Sequence, residues 1–176
     1  PRKKCWSCTR SFRVADETNS VLAIDPGTYQ SAFVVFDGKS VVSKGIVENA
    51  TLEMLVETTQ CQHVACEMIA SYGMPVGAET FETVFWIGRL AKASRVPFHR
   101  VFRKDVKIHL CNSMRAKDAN IRQAIIDKFG GESAVGKKSH PGPLYGVSSH
   151  CWSALAVAVY FTDKSLAILD DLRSIK

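Results

Sequence analysis

Two apolar runs in this chain close on carboxylates where a core strand would ordinarily stay neutral. VLAID ends on Asp25 before a Pro26-Gly27 turn, and HVACEM carries Glu67 near its end. A lone carboxylate at the edge of a core is costly unless a cation or a metal pairs with it. If the two strands are parallel neighbours, as a crossover helix between them would make them, both carboxylates lie at one end of one sheet within reach of a single ion. That crevice, beyond the carboxyl ends of the strands, is where open α/β sheets hold ligands. His150 stands where a polar loop gives way to the apolar ALAVAV run and could add a third group. Taken alone it reads more simply as a surface histidine at a helix end.

The cations are clustered as well. The chain has 23 Lys and Arg against 17 Asp and Glu, a formal charge of +6 that favours an acidic partner. One group is Arg100, Arg103, Lys104 and Lys107; a second is Arg115 and Lys117; a third is Lys137, Lys138 and His140. On a phosphate backbone such groups hold nucleic acid without reading bases. Solvated helix faces have the same composition, so the clusters acquire meaning only from what lies beside them.

The elements that must position these residues follow from the hydrophobic pattern. VLAID, SAFVVF and SVVSKGIV are short β-branched runs separated by Pro-Gly and Asp-Gly, which predicts three strands in an antiparallel meander. TLEMLVETTQ predicts a helix capped by Thr51, and HVACEM a buried strand beyond it. In ETFETVFWIGRLAKASR, residues Phe81, Val84, Phe85, Ile87, Leu90 and Ala91 recur at helical spacing and predict the long central helix. VPFHRVF predicts another strand, and KDVKIHLCNS and DANIRQAIIDKFGG two helices, the second closing on Gly130-Gly131. ESAVGKKSHPGPLYG reads as a loop of about 15 residues, a length more often functional than incidental. The last run, from Ser148-Ser149 as caps into a strongly apolar stretch, predicts a mostly buried helix with His150 in its first turn. The order describes a mixed α/β sheet with helical crossovers.

Composition narrows the classes. With 46% hydrophobic and 23% charged residues, the chain is neither disordered nor fibrous. It carries no apolar stretch of the roughly 20 residues that a membrane span needs. Residues 1–19 are polar and basic and read as a tail without the apolar centre of a secretory signal, ahead of one domain over residues 20–176. The expectation is a cytosolic protein with no membrane partner. Its six cysteines are accordingly expected as reduced thiols. Cys5-x-x-Cys8 is half of a zinc motif, with no second half nearby.

The segments VLAIDPGTYQSAFVVFDG, HVACEMI, a long helix closing on GRLAKA, VFRKDVKIHL, KDANIRQAI and HCWSALAVAV resemble, in this order and with these gaps, the RuvC-type Holliday-junction resolvases of the ribonuclease H-like superfamily. The resemblance runs from residue 20 to about residue 161. It implies an α/β ribonuclease H-like fold: a five-stranded mixed sheet, antiparallel meander plus parallel strands, flanked by helices. It implies a metal-dependent endonuclease that resolves four-way DNA junctions by paired nicks, in a bacterial cell or a phage-infected host. Asp25 matches the family's first catalytic aspartate and Glu67 its strand-end glutamate. The family's final helix usually carries two aspartates three residues apart; here those positions are His150 and Ser153. Asp118 is a further source of the missing negative charge.

The catalytic and metal-binding set implied is therefore Asp25, Glu67, Asp118 and His150, around two Mg²⁺ ions. Histidine is a less usual Mg²⁺ ligand, so Mn²⁺ is the alternative. Tyr72 and Met74 resemble the family's probing loop, where an aromatic could stack on an unpaired base. Arg103, Lys104, Lys107, Arg115, Lys117, Lys137 and Lys138 are the expected DNA contacts, with the Lys137-Lys138 loop flanking the same end of the sheet. A homodimer through the long helix bearing Phe85 and Trp86 would match the symmetry of a four-way junction. Three alternatives bear on the same residues. One is a less selective nuclease for flaps, forks or RNA:DNA hybrids. Another is a junction-binding protein weakened in catalysis, as Ser153 suggests. The last is a sugar-kinase or actin-like ATPase, which would need a second glycine-rich phosphate loop and about twice the chain.

Overall fold

The computed structural model describes residues 20–71 and 73–174, with side chains described up to residue 167. The basic tail with Cys5 and Cys8, and Tyr72 in the expected probing loop, lie outside the described residues. Strands β1 (Val21–Asp25), β2 (Gln30–Phe36) and β3 (Val41–Glu48) form the expected meander, and α1 (Asn49–Glu57) crosses to β4 (His63–Met68). Helix α2 (Ala78–Ala93) leads to β5 (Phe98–Phe102), followed by α3 (Arg103–Cys111) and α4 (Asp118–Lys128). The sheet order is β3-β2-β1-β4-β5, with β1 antiparallel to β2 and parallel to β4. The crossover through α1 thus makes β1 and β4 parallel neighbours, and Ile24 pairs with Cys66 one residue before each carboxylate.

Both faces of the sheet are covered, which is why β1 and β4 are apolar without alternation. Val21 and Ala23 point into a core closed by α5 (Cys151–Ser174), together with Ile121 and Ile125 of α4 and Val106 of α3. Leu22 and Ile24 point the other way, to Leu52 and Val56 of α1 and Ile87 and Leu90 of α2. Among the described residues no helix is long and apolar enough to cross a membrane.

Four local expectations differ. Helix α1 starts at Asn49, so Thr51 lies inside it and does not cap it. On α2 the inward stripe is Thr83, Ile87 and Leu90, whereas Phe81, Val84, Phe85 and Ala91 are exposed. The polar loop after Gly130-Gly131 contains a 3-10 turn (Glu132–Ala134) and a small hairpin of β6 (Gly136–Lys137) and β7 (His140–Pro141). Helix α5 begins at Cys151, so Ser148 and Ser149 precede it as a turn, with the Ser148 carbonyl accepting from the Cys151 N–H at 3.0 Å.

Candidate active site

Asp25 closes β1 because Pro26 and Gly27 turn the chain away from the sheet at that point. A small buried network fixes the turn. The Gly27 N–H donates to Ser31 Oγ at 3.1 Å, Ser31 Oγ donates to Asn49 Oδ1 at 2.6 Å, and Asn49 Nδ2 donates to the Gly27 and Thr28 carbonyls at 2.9 and 3.1 Å. Asn49 is 1% exposed and makes its bonds from the first residue of α1, which explains why that helix starts there. A side chain at Gly27 would run into the Gln30 carbonyl oxygen. Neither Ser31 nor Asn49 was a candidate in the sequence, since their partners lie in other elements.

Glu67 sits in β4 opposite Val101 of β5, and β5 runs directly into α3, so Arg103 emerges at the same end of the sheet. The Arg103 guanidinium donates through Nη1 to Glu67 Oε2 at 3.0 Å and through Nη2 to Asp118 Oδ1, at the first turn of α4. His150 arrives from the far end of the chain. Ser149 has a positive φ of 47°, uncommon for a residue with a side chain, and the turn it makes leaves His150 immediately ahead of α5. There His150 Nδ1 lies 3.2 Å from Asp25 Oδ2. The four expected site residues, Asp25, Glu67, Asp118 and His150, therefore converge at one end of the sheet. Arg103 joins them as an internal counter-ion, a position distinct from the surface phosphate contact expected of it.

Partial burial, more than the neighbouring charges, sets the electrostatics of the two carboxylates. Burial pushes Glu67 up to about 7, with Arg103 opposing the rise and Asp25 adding to it. Burial also raises Asp25, against the pull of His150 and Arg103. For Arg103, burial alone would lower the guanidinium, and Glu67 and Asp118 more than offset it, holding it above its ordinary value. Oxygen donors that a divalent ion would stabilise are thus in place. Mg²⁺ is commonly held by one or two carboxylates with water and substrate phosphate filling the rest, and Asp25 with Glu67 fits that requirement. Among the described residues no three His, Cys, Asp or Glu side chains are gathered closely enough to hold a metal ion by themselves. Asp118 is turned to Arg103 and its side chain is largely exposed.

A cleft of about 500 Å³ opens beside this cluster, lined among others by Arg103, Asp118, Arg122, His150, Trp152 and Ser153. Arg122 lies 5.0 Å over the Trp152 ring. A second groove of about 340 Å³, bounded by Asp25, Gly27, Gln30 and Ile46, shares His150 as a wall. Ser153 thus faces the cleft although it cannot replace a carboxylate.

The remaining basic residues divide. Lys104 and Lys107 follow Arg103 on α3, and Arg115 and Lys117 lead into α4, all at or near the carboxylate end. Lys137 and Lys138 are exposed on the β6-β7 hairpin. The chain leaving that hairpin places the Pro143 carbonyl on the Val41 N–H, at the end of β3 remote from Asp25. The expected approach of this loop to the carboxylate end is therefore not what the fold makes.

No protein-family model matches the chain, and no curated protein matches it. Solved structures do. The Thermus thermophilus RuvC structure superposes with a TM-score of 0.56 at 19% identity, over 80% of this chain and 92% of that one. T. thermophilus RuvC in complex with a Holliday junction substrate superposes with 0.57 at 19% identity, over 81% and 91%. The chain has the ribonuclease H-like fold of RuvC. In this RuvC-like sheet the two strand-end carboxylates lie on the adjacent parallel strands β1 and β4, the pairing expected of a crossover helix between them.

Proposed function

We propose that this protein is a metal-dependent endonuclease that cuts phosphodiester bonds in branched DNA and resolves four-way junctions by paired nicks. The observation that carries the reading is the convergence of Asp25 and Glu67, both half-buried and raised in pKa, with His150 at the carboxyl ends of neighbouring parallel strands. That RuvC of the same fold has been seen with a Holliday junction substrate gives the reading its substrate class.

Asp25 and Glu67 would hold Mg²⁺, or Mn²⁺ in its place, with His150 and Asp118 completing the set. When bound, such ions make a water more nucleophilic and neutralise the charge that develops on the leaving oxygen. The protein's own residues do the rest. With Nδ1 turned to Asp25, Nε2 is the remaining ring nitrogen of His150, which would either complete the ion's ligands or exchange a proton with the substrate. The cleft lined by Arg103 and Arg122 offers phosphate contacts beside the carboxylates, and Arg suits phosphate through its planar fork of donors. Two protomers related by a two-fold axis would present two such sites to the two equivalent strands of a junction.

A second reading rests on Ser153, which puts a hydroxyl where a carboxylate would be expected: a protein that binds junctions and cuts poorly or not at all. Incubation with a four-way junction, a flap, an RNA:DNA hybrid and linear duplex, each with Mg²⁺ and with Mn²⁺, separates the readings. Paired nicks in the junction support resolution, and cutting of all branched forms a broader nuclease. Tight junction binding with no cutting under either metal would sink the enzyme reading.

A further inference from the structure

Arg103 occupies an unusual place. It is the first residue of α3, where the helix dipole disfavours a cation. Two carboxylates hold it there: Glu67 through Nη1 at 3.0 Å, and Asp118 through Nη2. The Arg103 side chain is only 24% exposed, whereas the neighbouring Lys104 is exposed and shares in neither ion pair. A divalent ion ligated by Glu67 and a guanidinium bonded to Glu67 compete for one carboxylate. A phosphate entering the cleft competes for the same guanidinium from the other side, since the Arg fork accepts carboxylate and phosphate in the same bidentate manner.

We propose that Arg103 is a positioning residue that serves as the site's resident cation. It keeps Glu67 and Asp118 engaged until a DNA phosphate draws the guanidinium away, so that divalent-ion binding and DNA binding favour each other. The inference rests on the metal-dependent nuclease reading and extends it to the order in which the site assembles. Coupling of this kind is reciprocal: DNA raises ion affinity by removing a competitor, and the ion raises DNA affinity by releasing Arg103 to the phosphate.

The test is a calorimetric titration of MnCl₂ into the metal-free, full-length protein without DNA, comparing wild type with Arg103→Gln, Arg103→Lys and Lys104→Gln. Arg103→Gln should bind Mn²⁺ about tenfold more tightly than wild type, within the range typical of coupled sites. Arg103→Lys keeps the charge and loses the fork, and should fall between the two. Lys104→Gln removes the same charge one residue away and should change affinity less than about twofold, as a solvent-screened charge does. Thermal melts without metal check that each variant folds, and the Mn²⁺-induced rise in Tm should be larger for Arg103→Gln than for wild type. Equal or weaker binding by Arg103→Gln, or an equal gain in Lys104→Gln, overturns the inference and leaves the nuclease reading standing. Absence of Mn²⁺ binding in every protein overturns both.

Discussion

His150 Nδ1 lies 3.2 Å from Asp25 Oδ2, across 125 residues of sequence. The contact joins the end of β1 to the turn before α5 and makes one imidazole the wall between the cleft and the groove that flank the carboxylates. Asp25→Asn removes the central anionic donor while leaving every phosphate-contacting cation in place. It should abolish metal-dependent cleavage of a four-way junction and, measured without divalent metal, leave junction affinity within about twofold, because cation contacts to phosphate supply most of such binding. His150→Ala should slow cutting by about 10² under single-turnover conditions, the lower range for loss of a proton-transferring group. Near wild-type cutting by Asp25→Asn would disprove the assignment of the site.

Glu67 imposes a pH dependence of definite sign. Burial holds its carboxyl at about 7 against an ordinary 4.5, so between these values the folded chain keeps a proton that the unfolded chain has lost. The folded state then binds more protons, and this residue's contribution to stability falls as pH rises through that window. The full separation corresponds to about 3 kcal/mol. The raised Asp25 acts in the same direction. Urea midpoints measured from pH 4.5 to 8 for wild type and Glu67→Gln should diverge, with the variant gaining relative stability toward high pH. Saturating Mg²⁺ should reverse the loss in wild type alone. A variant that loses ground to wild type as pH rises contradicts the placement of Glu67.

The turn beside Asp25 is held by side chains that make no contact with substrate in this reading. Asn49→Ala would strand the part-buried Gly27 and Thr28 carbonyls and the buried Ser31 Oγ. A loss of roughly 2–3 kcal/mol follows, since an unsatisfied buried polar group costs about 1–3 kcal/mol. Gly27→Ala forces a methyl against the Gln30 carbonyl and should displace Asp25. Its signature is reduced cleavage together with a lowered Tm, where Asp25→Asn loses cleavage with Tm preserved or raised.

The carboxylates were legible in the sequence because a charge that closes an apolar strand is a local signal, and parallel pairing of β1 with β4 follows from a single crossover helix. Arg103 was not legible as an internal counter-ion. Its partners lie 36 and 15 residues away, and within RKDVK it looks like any solvated cation. The start of α1 was misplaced for a related reason: Thr51 satisfies a local capping pattern, while Asn49 is fixed by bonds to a turn more than twenty residues upstream. Periodicity on α2 identified a helix but could not say which of two apolar stripes meets the sheet. Ile87 and Leu90 do so, packing with Leu52 and Val56 of α1 and Val64 of β4, and Thr83 is buried on the same stripe.

The outward stripe of α2 leads to the last prediction. Phe81 is 65% exposed and Phe85 58%, with Val84 between them and Met54 of α1 also exposed. Trp86 is half covered and has Arg89 4.5 Å over its ring. Singly exposed apolar residues are ordinary on any surface, but several together on one helix point to a covered face. A second copy of the chain is the occupant we expect, because two sites facing two equivalent strands require two protomers. Phe85→Glu would place a charge in the centre of that contact. Sedimentation should then show twice the chain mass for wild type and the single-chain mass for the variant, at unchanged Tm extrapolated to low concentration. Junction cleavage by the variant should shift from paired cuts to isolated nicks, because each protomer keeps Asp25, Glu67 and His150 intact while losing its partner. A wild-type chain that sediments as a monomer at micromolar concentration, and still cuts both strands together, would remove α2 from the proposal.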